Sequence, residues 1–350
     1  MLAVELTHFR SSMRGLVVIK GRRPDEAVDD MESDEDSDDD ELASNTGTEK
    51  TTRSESNRSA MTSSTQPKPK KRVRISPHLA RLTLFHGCKL KNWDVSVRNP
   101  TYHMHSFSET KVKKMCRQSK GRKWAIYNQS HMSRTYPAGS RVDSSNYNPM
   151  LAWSTGCQLV ALNFQTPDPP LKINDGRFRQ NGNCGYVLKP SSIMMKDSQT
   201  AMPTKLSVRI LSGSCLPKPK GQRSGECIDP YVKVSVHDVK NEEKDACTTF
   251  STTTVQNNGY FPIWHNATSK DRFSFIIESG AVAMLQLEVY TKGDIGQSDE
   301  FIANAAIPVS CLRQGYRSVQ LFDENNTRTG PFDFASLLIE TKLRQVVAEI

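Results

Sequence analysis

No stretch of this 350-residue sequence comes near the ~20 consecutive apolar residues needed to cross a bilayer. No CxxC pair occurs among its eight cysteines, which argues against a zinc site and leaves the reduced thiols of a cytosolic protein as the expectation. The first 20 residues contain an acid and no long apolar stretch, so nothing there resembles a secretory signal. One segment is sharply acidic: residues 25–41 hold 12 acids and no Lys or Arg. The rest of the chain therefore sets 47 Lys and Arg against 26 acids, a net charge of +21. A surface that basic expects an anionic partner: nucleic acid, phosphorylated lipid head groups or an acidic membrane leaflet. The length is enough for two domains, and 36% apolar residues is lean for one globule until a disordered segment is subtracted.

Four regions separate by composition. Residues 1–23 end in the apolar run Gly15 to Lys20 closed by Arg22 and Arg23, the pattern of one buried strand. Residues 24–75 carry the acidic block, then Ser/Thr-rich sequence, then the basic run Lys68 to Arg74. This region holds too little apolar surface to offset the entropy of ordering it, so it is expected to be a disordered linker. The basic run fits a nuclear address, a nucleic-acid patch or an exposed linker end, and no other feature supports nucleic-acid binding. Residues 76–195 alternate strand and helix signals. Leu82–Phe85 is a candidate strand, and Val112, Met115 and Cys116 share one helix face. Ser106 and Glu109 have capping-box spacing, while Leu159–Leu162 is apolar on both faces like a parallel strand under helices. That order argues for α/β. Residues 204–345 change to short alternating strands: Leu206, Val208 and Ile210; Val232, Val234 and Val236; Phe273 and Phe275; Leu285, Leu287 and Val289. Turn-rich pieces such as Asn257-Asn-Gly259 separate them, which predicts an all-β antiparallel sandwich.

Two groups of motifs are more specific. Ser133-Arg-Thr-Tyr-Pro-Ala-Gly139, Arg141 to Tyr147, Cys157 to Thr166 and Asn181 to Pro190 occur in order. Together they resemble the Y half of the catalytic barrel of eukaryotic phosphoinositide-specific phospholipase C. Cys227 to Val234, Asn257 to Trp264 and Arg313 to Arg317 resemble the C2 domain that follows it in that family. Gly15 to Arg22 is similar to the last strand of the X half, which puts the acidic stretch where the family keeps its X/Y linker. The resemblance implies the second half of a split (β/α)8 TIM-type barrel followed by a C2 β-sandwich. It also implies hydrolysis of phosphatidylinositol 4,5-bisphosphate to diacylglycerol and inositol trisphosphate, with calcium as the catalytic ion.

By position in those motifs, Lys20, Arg22, Ser106, Arg134 and Tyr136 match head-group contacts. A guanidinium pairs with phosphate through parallel hydrogen bonds, and an aromatic face packs on the apolar face of an inositol ring. Each also has a plainer reading: Ser106 as a helix cap, Arg134 and Tyr136 as a solvated pair, Lys20 and Arg22 as a strand exit. The family's catalytic histidines and acidic calcium ligands belong to the X half. None of the eight histidines here lies in the motifs that carry those roles, and His103 and His105 are expected at a strand end near the pocket mouth. The chain is thus expected to be the C-terminal part of a longer enzyme, partnered by a missing X half-barrel. The alternative is a non-catalytic phosphoinositide or membrane adaptor. In the C2 region the calcium candidates are Asp229 and Asn257, because Val289 and Thr291 stand where further acids are expected and Asp294 is displaced. Calcium takes six to eight oxygens, so this set favours a basic membrane-facing module over a calcium-dependent one. The expected location is cytoplasmic, with reversible attachment to the inner leaflet.

Overall fold

The computed structural model describes residues 19–21, 77–118, 120–194, 202–219, 227–240, 244–264 and 272–346. The acidic block and the basic run of residues 68–74 lie outside the described residues. The chain forms two compact units, Met1–His86 and Gly87–Ile350. In the first, strand β1 (Ile19–Gly21) pairs in parallel with β2 (Thr83–Gly87), which follows a short helix α1 (Pro77–Leu82). The expected strand at Leu82–Phe85 therefore starts one residue later, and Leu82 closes the helix.

The second unit opens with α2 (Trp93–Ser96), capped by the Asn92 side chain, which accepts from the Asp94 amide. Strand β3 (His103–Ser108) leads into α3 (Glu109–Arg117), then α4 (Gly121–Tyr127) and β4 (Ser133–Tyr136). After α5 (Met150–Ser154) comes β5 (Leu159–Val160), parallel to β4, and then α6 (Pro169–Phe178). Strands β3, β4 and β5 are all parallel, with helices between them, which is the βα pattern of half a barrel. Val112, Met115 and Cys116 form the buried face of α3, as their spacing predicts.

Two expectations need correction. Ser106 does not cap α3: it lies within β3, and the cap position falls to Ser108, whose side chain makes no capping bond. The Leu159–Leu162 run is not a strand covered on both faces. Only Leu159 and Val160 are strand, and Leu159 is 40% exposed. Its apolar composition reflects packing at one end, where Leu162 joins Tyr147 and Leu171 in a small cluster.

Residues from Thr204 onward build two antiparallel sheets. One has the order β11 (Glu300–Pro308), β10 (Met284–Thr291), β7 (Pro230–Lys240), β8 (Lys244–Ser251). The other has the order β12 (Gly315–Gln320), β13 (Ser336–Gln345), β6 (Thr204–Ser214), β9 (Arg272–Ile277). The alternating apolar residues identified in the sequence all turn inward, and with Trp264 they make one sandwich core.

The half-barrel and the sandwich share packing. Val239, Val282 and Met284 of the sandwich belong to the cluster built on Trp93, Phe107, Trp124 and Trp153. Helix α6 lies so close to β11 that a Cβ on Gly176 would sit 2.3 Å from the Ala306 carbonyl oxygen. Two further α6 side chains fix this contact. Lys172 is buried 3.5 Å from Glu288 with its ammonium 3.7 Å from the centre of the Phe301 ring, and Arg177 donates to the Ala281 carbonyl. At α5, the Leu151 amide donates to the Asp245 carboxylate.

Candidate functional site

Strand alternation decides which β3 and β4 side chains share a face. His105, Phe107, Ser133 and Thr135 are buried, with Phe107 edge-on to Trp124 of α4. Ser106, Ser108, Arg134 and Tyr136 therefore occupy the opposite, half-buried face. The parallel register aligns Ser106 with Arg134 and Ser108 with Tyr136, and the Arg134 guanidinium lies 5.3 Å from the Tyr136 ring centre. Ser108 and Tyr136 end their strands, so the group sits toward the carboxyl ends, where barrels of this type carry their sites. The structure thus brings Ser106, Arg134 and Tyr136 together. It adds Ser108, whose signal in the sequence was its two-residue offset from Ser106. Lys20 lies on β1, in the other unit, and Arg22 lies outside the described residues.

The segment after Tyr136 is held by polar contacts. The Glu109 carboxylate accepts from Arg141 Nε and Nη2, from Lys113 at 3.1 Å and from the Ala138 amide at 3.2 Å. Burial by itself would raise the Glu109 carboxyl; these donors outweigh it and hold the group down at about 2. Asn146 bonds Asp168 through both its amide and its side chain, and Tyr147 shares a 2.6 Å hydrogen bond with Thr135. Beneath β4, Ser133 bonds Asn128 and receives the Trp124 indole proton. Much of the motif sequence is therefore scaffolding that aims Arg134 and Tyr136.

The histidine expectation is corrected. His103 and His105 are buried at the start of β3, away from the strand end that carries Ser108. His105 contacts the Cys88 carbonyl at 2.7 Å and Ser96 at 3.1 Å, and burial lowers its pKa. His131 stacks on Tyr127 with ring centres 4.5 Å apart. These rings serve the core.

At the sandwich loops, Asp229 and Asn257 do meet, but as partners of each other. The Asn257 amide donates to Asp229 Oδ1 at 2.6 Å, and Asn257 takes a positive φ of 51° to do so. Thr291 accepts the Asp229 amide, and the Lys292 amide donates to the Asp229 carbonyl. Asp299 is bonded by Tyr231, the Gly293 amide and the Lys292 ammonium. Asp299 thus accepts from a hydroxyl, an amide and an ammonium, and Lys292 sets a positive charge beside the few carboxylates that a calcium cage of six to eight oxygens would draw on. Among the described residues no group of three or more His, Cys, Asp or Glu side chains is placed to hold a metal.

A parallel half-barrel whose half-buried face carries Arg134 and Tyr136, sharing core with an antiparallel sandwich, defines a bipartite α/β and all-β protein. Residues 79–192 match the Y domain of phosphatidylinositol-specific phospholipase C, and residues 204–323 match the C2 domain. Curated relatives include 1-phosphatidylinositol 4,5-bisphosphate phosphodiesterase of Dictyostelium discoideum, 36% identical over 74% of this chain and 32% of that protein. The human delta-1 phosphodiesterase is 34% identical over 76% of this chain and 35% of the relative. Human inactive phospholipase C-like protein 1 is 36% identical over 72% of this chain and 23% of the relative. The crystal structure of L. pealei PLC21 superposes with a TM-score of 0.66 at 27% identity, covering 80% of this chain and 35% of that one. The chain belongs to the phosphatidylinositol-specific phospholipase C family, whose C-terminal region it carries. It spans about a third or less of the length of these relatives.

Proposed function

We propose that this chain supplies the head-group-recognising half of a phosphoinositide phospholipase C. Completed by an X half-barrel, it hydrolyses phosphatidylinositol 4,5-bisphosphate to diacylglycerol and inositol trisphosphate. The observation that carries this reading is the shared face of Ser106, Arg134 and Tyr136 at the strand ends. Arg134 would pair with a ring phosphate, Tyr136 would pack on the inositol ring, and Ser106 would donate a hydroxyl hydrogen bond. Lys20 and Arg22 are proposed as further head-group contacts from their positions in the motif alone. Regions 76–195 and 204–345 are the Y half-barrel and C2 domain of this scheme, after a strand region at 1–23 and a linker at 24–75. The protein would work from the cytoplasm and visit the inner leaflet reversibly. No described helix is long and apolar enough to cross a membrane. The family's calcium is assigned to the X half.

A second reading has its own support. Relatives named inactive phospholipase C-like proteins match this chain at 36–38% identity, within the same range as the phosphodiesterases. Under that reading the same face binds the lipid without turning it over. The two part on turnover. Mixed with a separately expressed X half, chain 1–350 is expected to release inositol trisphosphate from vesicles; binding without release would favour the adaptor. In the assembled enzyme, Arg134→Ala should cut bisphosphate turnover about ten- to a hundred-fold, the cost of one charge-assisted phosphate contact. Turnover of unphosphorylated phosphatidylinositol should change little, and equal losses on both lipids would remove Arg134 from the site.

A further inference from the structure

The outer face of the sheet β12-β13-β6-β9 carries a concavity of about 270 Å³ lined by Lys205, Ser207, Arg272, Ser274, Lys342 and Arg344. We propose that this concavity is a second anion site, for a membrane lipid head group bearing clustered phosphates. It is separate from the barrel face and does not depend on the reading given above for that face.

Four observations carry the inference. First, the lining is four cations and two hydroxyls, with no carboxylate among them. Inward residues Leu206, Val208, Phe273 and Phe275 alternate with these outward ones, so the cations lie on one surface by strand geometry. Second, the register sets like charges directly opposite each other: Lys205 faces Arg344 across β6 and β13, and Arg209 faces Arg272 across β6 and β9. Such pairs cost stability in an antiparallel sheet, and a bound polyanion relieves that repulsion. Third, the buried carboxylate of Glu340 anchors one end of the array. It pairs with Arg272 at 2.8 Å, Lys342 at 2.9 Å and Arg209 at 3.5 Å. One carboxylate orients three cations and neutralises one, and Lys205 and Arg344 have no acidic partner among the described residues. Fourth, Ser207 and Ser274 are cross-strand neighbours on the floor, with Lys342 opposite Ser207. Hydroxyl donors beneath a ring of guanidinium and ammonium groups suit phosphate oxygens.

Strand β6 runs from the concavity at Lys205 and Ser207 toward Ser214, seven to nine residues at about 3.3 Å each, so the site lies roughly 20–30 Å along the strand from the end where Leu216 bonds Gly259 and Asn258 bonds Ile228, beside Asp229. Lipid bound there lays the sandwich on its side and engages it without calcium.

The test is vesicle binding by full chain 1–350 in chelator, with Arg134→Ala as background so that the barrel face is disabled. Vesicles carry a few mole per cent of phosphatidylinositol 4,5-bisphosphate in phosphatidylcholine. Replacing both Lys205 and Arg344 by Ala is expected to weaken partitioning about thirty-fold, from about 1 kcal/mol per cation near an anionic surface. Ser207→Ala with Ser274→Ala, which leaves the charge intact, should weaken it several-fold. Replacing exposed Arg98 and Lys114 by Ala removes the same charge elsewhere and should leave partitioning nearly unchanged. Equal losses in the two charge-removing variants, or none in either, would overturn the proposal. So would equal binding to phosphatidylserine vesicles of matched charge, or tight binding of soluble inositol hexakisphosphate with no vesicle binding. Unchanged melting temperatures confirm that these surface variants fold.

Discussion

Glu109 shows how one side chain can hold a site it does not belong to. Its carboxylate ties Arg141 and the Ala138 amide, and so the chain immediately after Tyr136, to the first turn of α3. Its pKa falls from 4.5 in the unfolded chain to about 2 in the folded one. The folded form therefore holds the proton more weakly, so the stabilisation is complete above about pH 4.5 and is lost as pH falls through about 2. Glu109→Gln should cost about 2–3 kcal/mol at neutral pH in urea unfolding, and the gap to the parent should close toward pH 2. Asp245 runs the other way. Burial raises it from 3.8 to about 6, so its ionisation works against the folded form as pH climbs through that window. Asp245→Asn should remove that part of the slope, and an unchanged pH profile would rule the assignment out.

Helix α6 is where a backbone requirement is most exposed. Gly176 leaves no room for a Cβ against the Ala306 carbonyl, while Lys172 and Glu288 form a buried pair one turn away. Gly176→Ala should destabilise by about 1–3 kcal/mol through overpacking. Lys172→Ala should cost about 3–5 kcal/mol by stranding Glu288, and replacing both members with Met should recover most of it. Neither contact was legible in the sequence, because both depend on how two regions with separate patterns meet. What was legible followed from local period. The inward strands at Leu206, Val232, Phe273 and Leu285, and the α3 face at Val112, Met115 and Cys116, all stand as the alternation predicts. Of the candidate site, the Arg134 and Tyr136 pairing was readable from a two-residue offset. The capping-box reading of Ser106 failed because β3 runs two residues further than the motif allows, to Ser108. The basic concavity on β6, β9 and β13 escaped because its members come from three strands far apart in sequence, and only the register assembles them.

The composition break near residue 200 looks like a domain boundary, yet the packing crosses it. Val239, Val282 and Met284 are almost fully buried against the half-barrel. A fragment starting at Pro203 should expose all three, bind a hydrophobic dye and precipitate more readily than chain 1–350. A fragment as soluble and as stable as the parent would show that this contact is dispensable. The shared core also makes the sandwich a lever with no joint. On the function proposed above, a tilt imposed on it by a leaflet would turn Arg134 and Tyr136 through the same angle, so the posture of the sandwich on the bilayer would set the attitude from which a head group is approached.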